Sequence, residues 1–322
     1  MKIVIPGGSG QVGTVLARAF HARGDHVVVL SRRAAARPWP VVAWDGATLG
    51  RWQREIDGCD VVINLTGRSV NCRYTAAHRE EILQSRVRST RVVGQAIAQA
   101  ACPPRLWLQA STATIYAHQY DRANDEHTGI LGGREPNAPS TWRFSIDVAR
   151  AWEQAFEEAA TDGTRKVALR SAMTLSPDPG GVFDTLLALT RRRLGGRAGH
   201  GRQFMSWIHD EDFVSAVQWL IGRDDIEGVV NVASPHPLPN AEFMRVLRDA
   251  YGVSFGLPAS RWMLEIGAVF LRTETELILK SRRVVPAKLL EQGFMFRFPH
   301  WRDAARDLCD RWRGMASASS AA

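Results

Sequence analysis

KIVIPGGSGQVG, residues 2 to 13, is the stretch that decides how this chain folds. Its first half is a short apolar run, which predicts a buried strand, and its second half is a loop with glycines at positions 7, 10 and 13. Apolar residues then recur at helical spacing from Val12 to Phe20, and a second apolar run spans His26 to Leu30. The order strand, glycine turn, helix and strand is typical of the unit that binds dinucleotides.

The three glycines have separate roles in such a loop. One allows the tight turn, one lets the backbone approach a pyrophosphate, and one lets the helix pack against the strand. The N–H groups and the dipole at the start of the helix favour the phosphate charge. We therefore predict a dinucleotide here, and its candidate contacts are Gly7, Gly8, Ser9, Gly10, Gln11, Val12 and Gly13.

The end of the second predicted strand distinguishes between two nicotinamide cofactors. An acidic residue at this place hydrogen-bonds the ribose 2′-hydroxyl of NAD, whereas this chain has Ser31, Arg32 and Arg33 and no carboxylate. Guanidinium groups bind phosphate bidentately and therefore suit the 2′-phosphate of NADP. We predict NADP(H) in preference to NAD(H); the alternative is that both arginines are solvated loop residues.

Two further predicted strands end in polar residues. Val41 to Trp44 leads into Asp45-Gly46, and Val61 to Leu65 ends in Thr66-Gly67. Strand ends at the switch point of a doubly wound sheet line the ligand crevice. Asp45 is therefore either a contact to the adenine amino group or a turn residue before glycine. The candidates along the ribose and pyrophosphate are Asn64, Leu65, Thr66 and Gly67.

Composition and charge narrow the classes of function. The chain has 322 residues, 45% hydrophobic and 23% charged, which is typical of a globular protein with one large domain or two smaller ones. No apolar run reaches the about 20 residues of a membrane span, and the early strand argues against a signal peptide.

Four scattered cysteines predict a reduced, cytoplasmic setting and no metal site. The net charge of +8 comes from arginines spread along the chain, so we do not expect nucleic-acid binding.

Further along, a predicted strand from Leu106 to Ala110 is followed by Ser111-Thr112-Ala113-Thr114-Ile115-Tyr116. The glycine loop, the strand end at Asn64 to Gly67 and this Ser-Thr-x-x-x-Tyr segment make the chain similar to the extended short-chain dehydrogenases/reductases. It resembles more narrowly the NAD-dependent epimerase/dehydratase-like branch that has a small C-terminal domain of unknown function. The stretches that carry the narrower resemblance are Trp152-Glu153, Gly180-Gly181, Arg202 to Asp212, Asn231 to Pro235 and Val285 to Phe296.

The resemblance implies a catalytic set of Ser/Thr, Tyr and Lys, and this chain lacks two of the three. In the wider family the Tyr delivers a proton to a carbonyl as hydride arrives, and the Lys lowers the Tyr pKa. Thr112 fits the Ser/Thr position, but the Tyr position falls on Ser145 and the Lys position on Ala149, both on a predicted helix. We predict Thr112 and Tyr116 as catalytic candidates that contact substrate; the alternative for Tyr116 is a structural role.

The second half of the chain supplies further candidates. The resemblance places the strand end from Ala172 to Leu175 beside the nicotinamide, so Met173 is a predicted cofactor contact. Ser111, which follows the predicted strand from Leu106 to Ala110, is another. The predicted substrate contacts are Gln203, Trp207 and His209. Trp207 is alternatively a core residue, and His209 alternatively fixes the start of the helix that follows it. Other titratable residues within reach of the crevice are Tyr74 and His118.

These features predict a doubly wound parallel α/β sheet, an NAD(P)-binding Rossmann fold, with a smaller α/β C-terminal substrate part. The predicted nucleotide domain is 1–176, with 203–233 returning to it; 177–202 and 234–310 form the smaller part, and 311–322 a flexible tail. The predicted function is that of an NADP(H)-dependent oxidoreductase or epimerase-like enzyme with a small organic substrate, and a homodimer is compatible with the sequence. The alternative is a non-catalytic NADP(H) sensor, which the missing Tyr and Lys favour.

Overall fold

The computed structural model describes residues 1–33, 35–136, 138–260, 262–264 and 275–321. The strands are β1 (Lys2–Pro6), β2 (His26–Ser31), β3 (Val41–Ala43), β4 (Val61–Asn64), β5 (Leu106–Thr112), β6 (Arg165–Ser171), β7 (Met173–Leu175), β8 (Phe204–Met205), β9 (Trp207–His209), β10 (Gly228–Val232) and β11 (Leu238–Pro239). The helices are α1 (Gln11–Ala22), α2 (Ala76–Ala98), α3 (Ser140–Glu157), α4 (Val182–Arg191), α5 (Asp210–Ile221), α6 (Asn240–Tyr251), α7 (Glu276–Leu279), α8 (Ala287–Glu291) and α9 (Trp301–Ala321). Two short 3₁₀ helices span Arg51–Glu55 and Ala113–Ile115.

The main sheet has seven parallel strands in the order β10-β6-β5-β4-β1-β2-β3. β1 pairs with β2 on one side, where Ile3 lies opposite Val27, and with β4 on the other, where Ile3 lies opposite Val61. The chain therefore reverses its direction of growth between β1 and β4. This is the switch point at which doubly wound sheets bind ligands beyond the carboxyl ends of their strands.

Helices cover both faces of this sheet, which explains why its central strands are apolar along their whole length. On one face α1 and α5 contribute Phe20 and Phe213 to a core cluster that also contains Ile3 and Ile5. On the other face Val93 of α2 and Phe156 of α3 pack with strand residues such as Val4 and Trp107. The predicted doubly wound sheet is thus confirmed, and α3 lies on the same face as α2.

A second cluster of secondary structure forms the C-terminal part. A separate core joins α4, α6 and α9, where the indole of Trp301 stacks on Phe243 at 4.1 Å between ring centroids and also contacts Trp207 at 5.1 Å. Two small sheets border it, since β8 pairs with β11 and β7 pairs with β9. Residues 203–233 divide between the two parts of the protein. β10 belongs to the main sheet and α5 packs on that sheet, whereas β8 and β9 belong to the two small sheets.

The C-terminal segment differs from its predicted form. Residues 311–322 were expected to be a flexible tail, but α9 continues to Ala321. Arg311 ties this helix to Asp210 through two hydrogen bonds of 2.8 Å, and the Trp312 ring lies 4.5 Å from the Arg191 guanidinium. These contacts hold the first residues of this segment against the rest of the protein. The sequence pattern also predicts a helix from Ser260 to Leu271, which falls largely on residues outside the described ranges. In the described part of the chain, no helix has the length and apolarity to cross a membrane.

Candidate active site

Close contacts between backbone segments account for the glycines of the first loop. Gly7 has a φ of 74°, and a Cβ on it would lie 2.7 Å from the Thr66 Cα at the end of β4. A Cβ on Gly13 would overlap the Gly8 Cα, and one on Gly8 would lie 2.9 Å from the Ile5 carbonyl oxygen. A Cβ on Gly10, in contrast, would meet only the Gly7 oxygen at 3.8 Å. The protein therefore packs against Gly7, Gly8 and Gly13, while the space beside Gly10 is open to a ligand.

The start of α1 lies at this open space. Gly10 is its N-cap, no side chain caps the helix, and its first turn has no acidic residue. Uncapped N–H groups at a helix N-terminus favour an anion such as a pyrophosphate. Val12 packs on the sheet core, while the buried Nε2 of Gln11 has no hydrogen-bond partner within the described ranges and lies against Gly181 at the start of α4. The loop thus fits a dinucleotide phosphate.

The end of β2 presents two cations. The Ser31 hydroxyl donates to the Ser9 hydroxyl at 3.1 Å and accepts the Arg33 N–H at 3.2 Å, which connects this strand end to the glycine loop. The side chains of Arg32 and Arg33 are exposed and have no hydrogen bond or ion pair with any residue that the structure describes. Two unpaired guanidiniums beside two hydroxyls form the donor set that a ribose 2′-phosphate requires.

Asp45 has the role of the turn residue that the sequence left as an alternative. Its carboxylate accepts the N–H groups of Ala47 and Thr48 at 2.8 and 2.9 Å and the Thr48 hydroxyl at 2.5 Å. These bonds from Thr48 and Ala47 lower the pKa of Asp45 below its usual range. The side chain is exposed, so its contact to adenine stays a prediction.

The end of β4 contains one structural and one available polar side chain. The fully buried Asn64 amide donates to the Gln109 Oε1 at 2.9 Å and accepts the Thr66 N–H at 3.1 Å, which ties β4 to β5. Leu65 packs against the sheet core. The Thr66 hydroxyl is buried without a hydrogen-bond partner among the described residues, as expected for a group that meets a ligand. The next residue, Gly67, leaves room for the Arg86 guanidinium, because a Cβ at position 67 would lie only 3.0 Å from the Arg86 Cζ.

A cavity of about 120 Å³ lies beyond these strand ends. Thr112 lines it from the end of β5, and Ser145 and Ala149 line it from α3. The two positions at which the family resemblance expects a Tyr and a Lys therefore face one cavity together with the expected Thr. The other lining residues are Val70, Tyr74, Ile82, Arg86, Thr114, Phe144, Val148, Trp152, Glu276 and Arg282.

The polar groups of this cavity are connected to one another. The Ser145 hydroxyl donates to the Glu276 Oε2 at 2.5 Å, and the other oxygen of this buried carboxylate lies 3.6 Å from Nη2 of Arg282. The Tyr74 hydroxyl hydrogen-bonds with Ser145, and burial, reinforced by the Glu276 charge, raises the pKa of Tyr74 to about 12. Phenol, hydroxyl, carboxylate and guanidinium thus form one cluster. Sequence reasoning missed Glu276 and Arg282, because both lie far along the chain without a motif around them.

Arg86 adds a second cation to the cavity wall. Its Nη1 donates to the carbonyl oxygens of Arg68 and Ile82 at 3.0 Å each, and its guanidinium lies 5.0 Å from the Trp152 ring centroid. It has no ion pair with a described carboxylate, and burial lowers its pKa to about 10. An arginine held by backbone carbonyls and an aromatic face remains able to bind an anionic or hydroxylated ligand.

Comparison of this sequence with known protein families and curated proteins identifies the family to which the chain belongs. The profile of the NAD dependent epimerase/dehydratase family matches residues 3–233, and a domain of unknown function (DUF1731) matches residues 259–308. The chain belongs to the NAD dependent epimerase/dehydratase family. The epimerase family protein SDR39U1 of Bos taurus is 31% identical over 313 residues, which cover 96% of this chain and 99% of the relative.

Solved structures of the family agree with this assignment. The crystal structure of human epimerase family protein SDR39U1 (isoform 2) with NADPH has a TM-score of 0.83 and 27% identity, and covers 96% of this chain and 99% of that one. A nucleoside-diphosphate sugar epimerase from Corynebacterium glutamicum has a TM-score of 0.73 and 26% identity, and covers 95% of this chain and 57% of that one. The predicted resemblance to the epimerase-like branch is therefore confirmed.

Within this family fold, Tyr116 is a core residue and not a cavity residue. It is 2% exposed, and its hydroxyl donates to Asn231 and accepts from Arg170, both at 3.0 Å. Arg170 also donates to both carboxylate oxygens of Glu153 on α3, at 2.8 and 2.7 Å, and Ser111 donates to the same carboxylate. These bonds are those of the structural alternative, and the predicted substrate contact of Tyr116 stays a prediction. Ser111 is likewise engaged in this network.

Two of the predicted substrate residues also lie in the interior. Trp207 is fully buried in the C-terminal core, where its indole N–H donates to the His236 oxygen at 3.2 Å. His209 is fully buried as the N-cap of α5, because its Nδ1 accepts the Glu211 N–H at 3.1 Å while Nε2 lies 2.9 Å from Asp307. Core packing and helix capping occupy these side chains, neither lines the cavity, and their substrate contacts stay predictions.

Three other predicted residues have mixed outcomes. Gln203 is 1% exposed, and its amide nitrogen donates to the oxygens of Ala198 and Ile278, so it fixes a loop and does not line the cavity. Met173 is half-buried against the C-terminal core, and its cofactor contact stays a prediction. Thr112 does line the cavity, and its hydroxyl accepts the Thr114 N–H at 3.2 Å.

The glycine contacts predict opposite results for two substitutions. Gly13→Ala should lower the free energy of unfolding by about 1–3 kcal/mol, because its methyl overlaps Gly8. Gly10→Ala should change it by less than about 0.5 kcal/mol, because its methyl enters open space, but should abolish nucleotide-induced thermal stabilisation. Urea unfolding and thermal-shift titration measure the two effects. Equal loss of stability in both variants would contradict this account of the loop.

Burial of His209 predicts a pH dependence of folding. Burial lowers the pKa of His209 below its ordinary value of 6.5, although Asp210 and Asp307 oppose the shift. The unfolded chain therefore binds a proton more readily, and stability should fall as the pH drops below 6.5. His209→Asn keeps an N-cap acceptor and removes the titration. In urea unfolding from pH 7 to about pH 5, this variant should lose less stability than the wild type; parallel curves would show that His209 does not contribute.

Proposed function

We propose that this protein is an NADP(H)-dependent oxidoreductase or epimerase-like enzyme that acts on a small organic substrate. The observation that carries the proposal is the cavity in which Thr112 faces positions 145 and 149 of α3. It lies at the carboxyl edge of the sheet, beyond the crevice formed by the glycine loop, where this fold places the reactive end of a dinucleotide. A phenol, a carboxylate and two guanidiniums line it, which are groups able to orient a substrate and to move a proton.

The cofactor preference is supported by the end of β2. Arg32 and Arg33 are exposed and lack partners among the described residues, while Ser31 and Ser9 place hydroxyls beside them. The solved human relative contains NADPH. In this chain the arginines would hold the 2′-phosphate, the N-terminus of α1 the pyrophosphate, and the buried Thr66 hydroxyl a group nearer the nicotinamide end. Bound NADP(H) would supply hydride chemistry that no side chain provides.

One observation favours a second function, a sensor that binds NADP(H) without turnover. Ser145 and Ala149 occupy the positions of the family's phenol and ammonium, so the ordinary acid and its activating cation are absent from α3. Fold alone does not establish catalysis. We favour the enzyme because the cavity wall has other ionisable groups, which a sensor of the cofactor does not require.

The exposed arginines predict nucleotide selectivity. In thermal-shift titrations NADPH and NADP⁺ should stabilise the protein more than NADH and NAD⁺, because only the former bear the 2′-phosphate. Arg32→Ala combined with Arg33→Ala should weaken NADPH binding by about 10-fold to 100-fold and leave NADH binding unchanged. Arg37→Ala, which changes a different arginine in the following loop, is the matched control. Equal stabilisation by NADH and NADPH would contradict the assignment.

A turnover screen distinguishes enzyme from sensor. NADPH oxidation is followed at 340 nm with a panel of aldehydes, ketones and diketones, and repeated with Thr112→Ala. We expect turnover of at least one compound, and a decrease of about 10-fold or more in the variant, because Thr112 lines the cavity beside the reacting carbonyl. Tight NADPH binding with no turnover of any compound would support the sensor instead.

A further inference from the structure

Tyr74 brings a phenol back to the place where the family's catalytic phenol is missing. The family Tyr position on α3 is occupied by Ser145, and Tyr74 reaches the same point from the loop before α2 and hydrogen-bonds with Ser145. Both residues line the cavity with Thr112, which keeps the family's Ser/Thr position. The functional group lost from the helix is therefore present in the cavity, supplied by a different element.

The neighbours of Tyr74 fix its position. Its ring makes an edge contact with Phe144 at 5.1 Å between centroids, and the side chain is 8% exposed. Ser145, which bonds with the phenol, is itself held by its 2.5 Å hydrogen bond to Glu276. A buried phenol restrained by a ring contact and a hydroxyl has few orientations available, which is the condition for directed proton transfer.

The charges around Tyr74 resemble those around a catalytic phenol. Arg86 and Arg282 both act electrostatically on it, and Arg86 has no carboxylate partner in the described part of the chain. Guanidiniums stabilise a phenolate, as the ammonium of the missing Lys does in the wider family. Burial and the Glu276 charge oppose ionisation, so the cluster combines an environment that keeps the phenol protonated at rest with cations that stabilise the charge after transfer.

We propose that Tyr74 is the catalytic proton donor of this enzyme, with Ser145 as the residue that positions it. The inference rests on the function proposed above. As the carbonyl carbon of the substrate accepts hydride from the reduced cofactor, the Tyr74 O–H bond breaks and a new O–H bond forms on the substrate oxygen. The cofactor is oxidised, the carbonyl is reduced to an alcohol, and the phenolate regains a proton from solvent when the product leaves.

The resting state of the phenol sets the direction in which it works. Burial and the Glu276 charge raise the pKa of Tyr74 to about 12, so the group is protonated at neutral pH. It therefore begins as an acid, which suits carbonyl reduction more than alcohol oxidation.

A fluorine label tests the position of Tyr74 independently of turnover. The full chain has 4 tyrosines, so protein grown with 3-fluorotyrosine gives four ¹⁹F signals, and Tyr74→Phe identifies one of them. Addition of NADP⁺ should move the Tyr74 signal and lower the pH of its ionisation, because the oxidised nicotinamide ring is positively charged. Ser145→Ala should also move it, whereas the Tyr120 signal should stay in place, since that hydroxyl bonds with His200 outside the cavity.

Kinetics with a diketone probe, 2,3-butanedione or the best compound of the screen, provide the second measurement. Tyr74→Phe keeps the Phe144 contact and should lower kcat by about 10²-fold to 10⁴-fold without weakening NADPH binding, while Tyr120→Phe should match the wild type. If NADP⁺ stabilises the protein but leaves the Tyr74 signal unmoved, or Tyr74→Phe keeps the wild-type kcat, the assignment of Tyr74 is wrong and the proposed function stands. A protein that binds no nicotinamide nucleotide would overturn both.

Discussion

The buried ion pair between Glu153 and Arg170 fixes the geometry on which the site depends. Arg170 lies in β6 and Glu153 in α3, so two hydrogen bonds of 2.8 and 2.7 Å set the position of this helix along the sheet. Ala149 and Ser145 lie about one and two turns before Glu153 on the same helix, and both line the cavity together with Thr112 at the end of β5. Removing one partner of such a pair leaves an uncompensated buried charge, which typically costs about 3–5 kcal/mol. The helix cannot slide without incurring that penalty.

Much of the fold and of the cofactor crevice could be predicted from the sequence, because both depend on local patterns. The apolar strand before Gly7, the helical spacing after Gly10 and the arginines at the end of β2 are contiguous in the chain, and the structure places them together. Spacing within α3 likewise located Ser145 and Ala149, and both line the cavity. Periodicity and motif spacing work well where the interacting groups belong to one supersecondary unit.

The cavity residues were harder to predict, because their partners are distant in the sequence. Tyr116 and His209 are polar and lie near strand ends, which suggested a ligand; their actual partners are Asn231 and Asp307, far along the chain. A sequence shows that a side chain can make hydrogen bonds but not whether the protein itself already satisfies them. For the same reason Glu276, which no motif marks, could not be recognised as the carboxylate beside Ser145.

The order in which the chain supplies its parts has a consequence for its synthesis. The glycine loop, both arginines and every strand of the main sheet precede residue 233, so a growing chain can complete the nucleotide crevice first. Glu276 and Arg282 emerge later, and until they do the cavity lacks its carboxylate and one of its cations. Under the proposed function, a nascent chain would therefore complete the strands and the glycine loop that bind the nucleotide before it completes the polar cluster of the cavity.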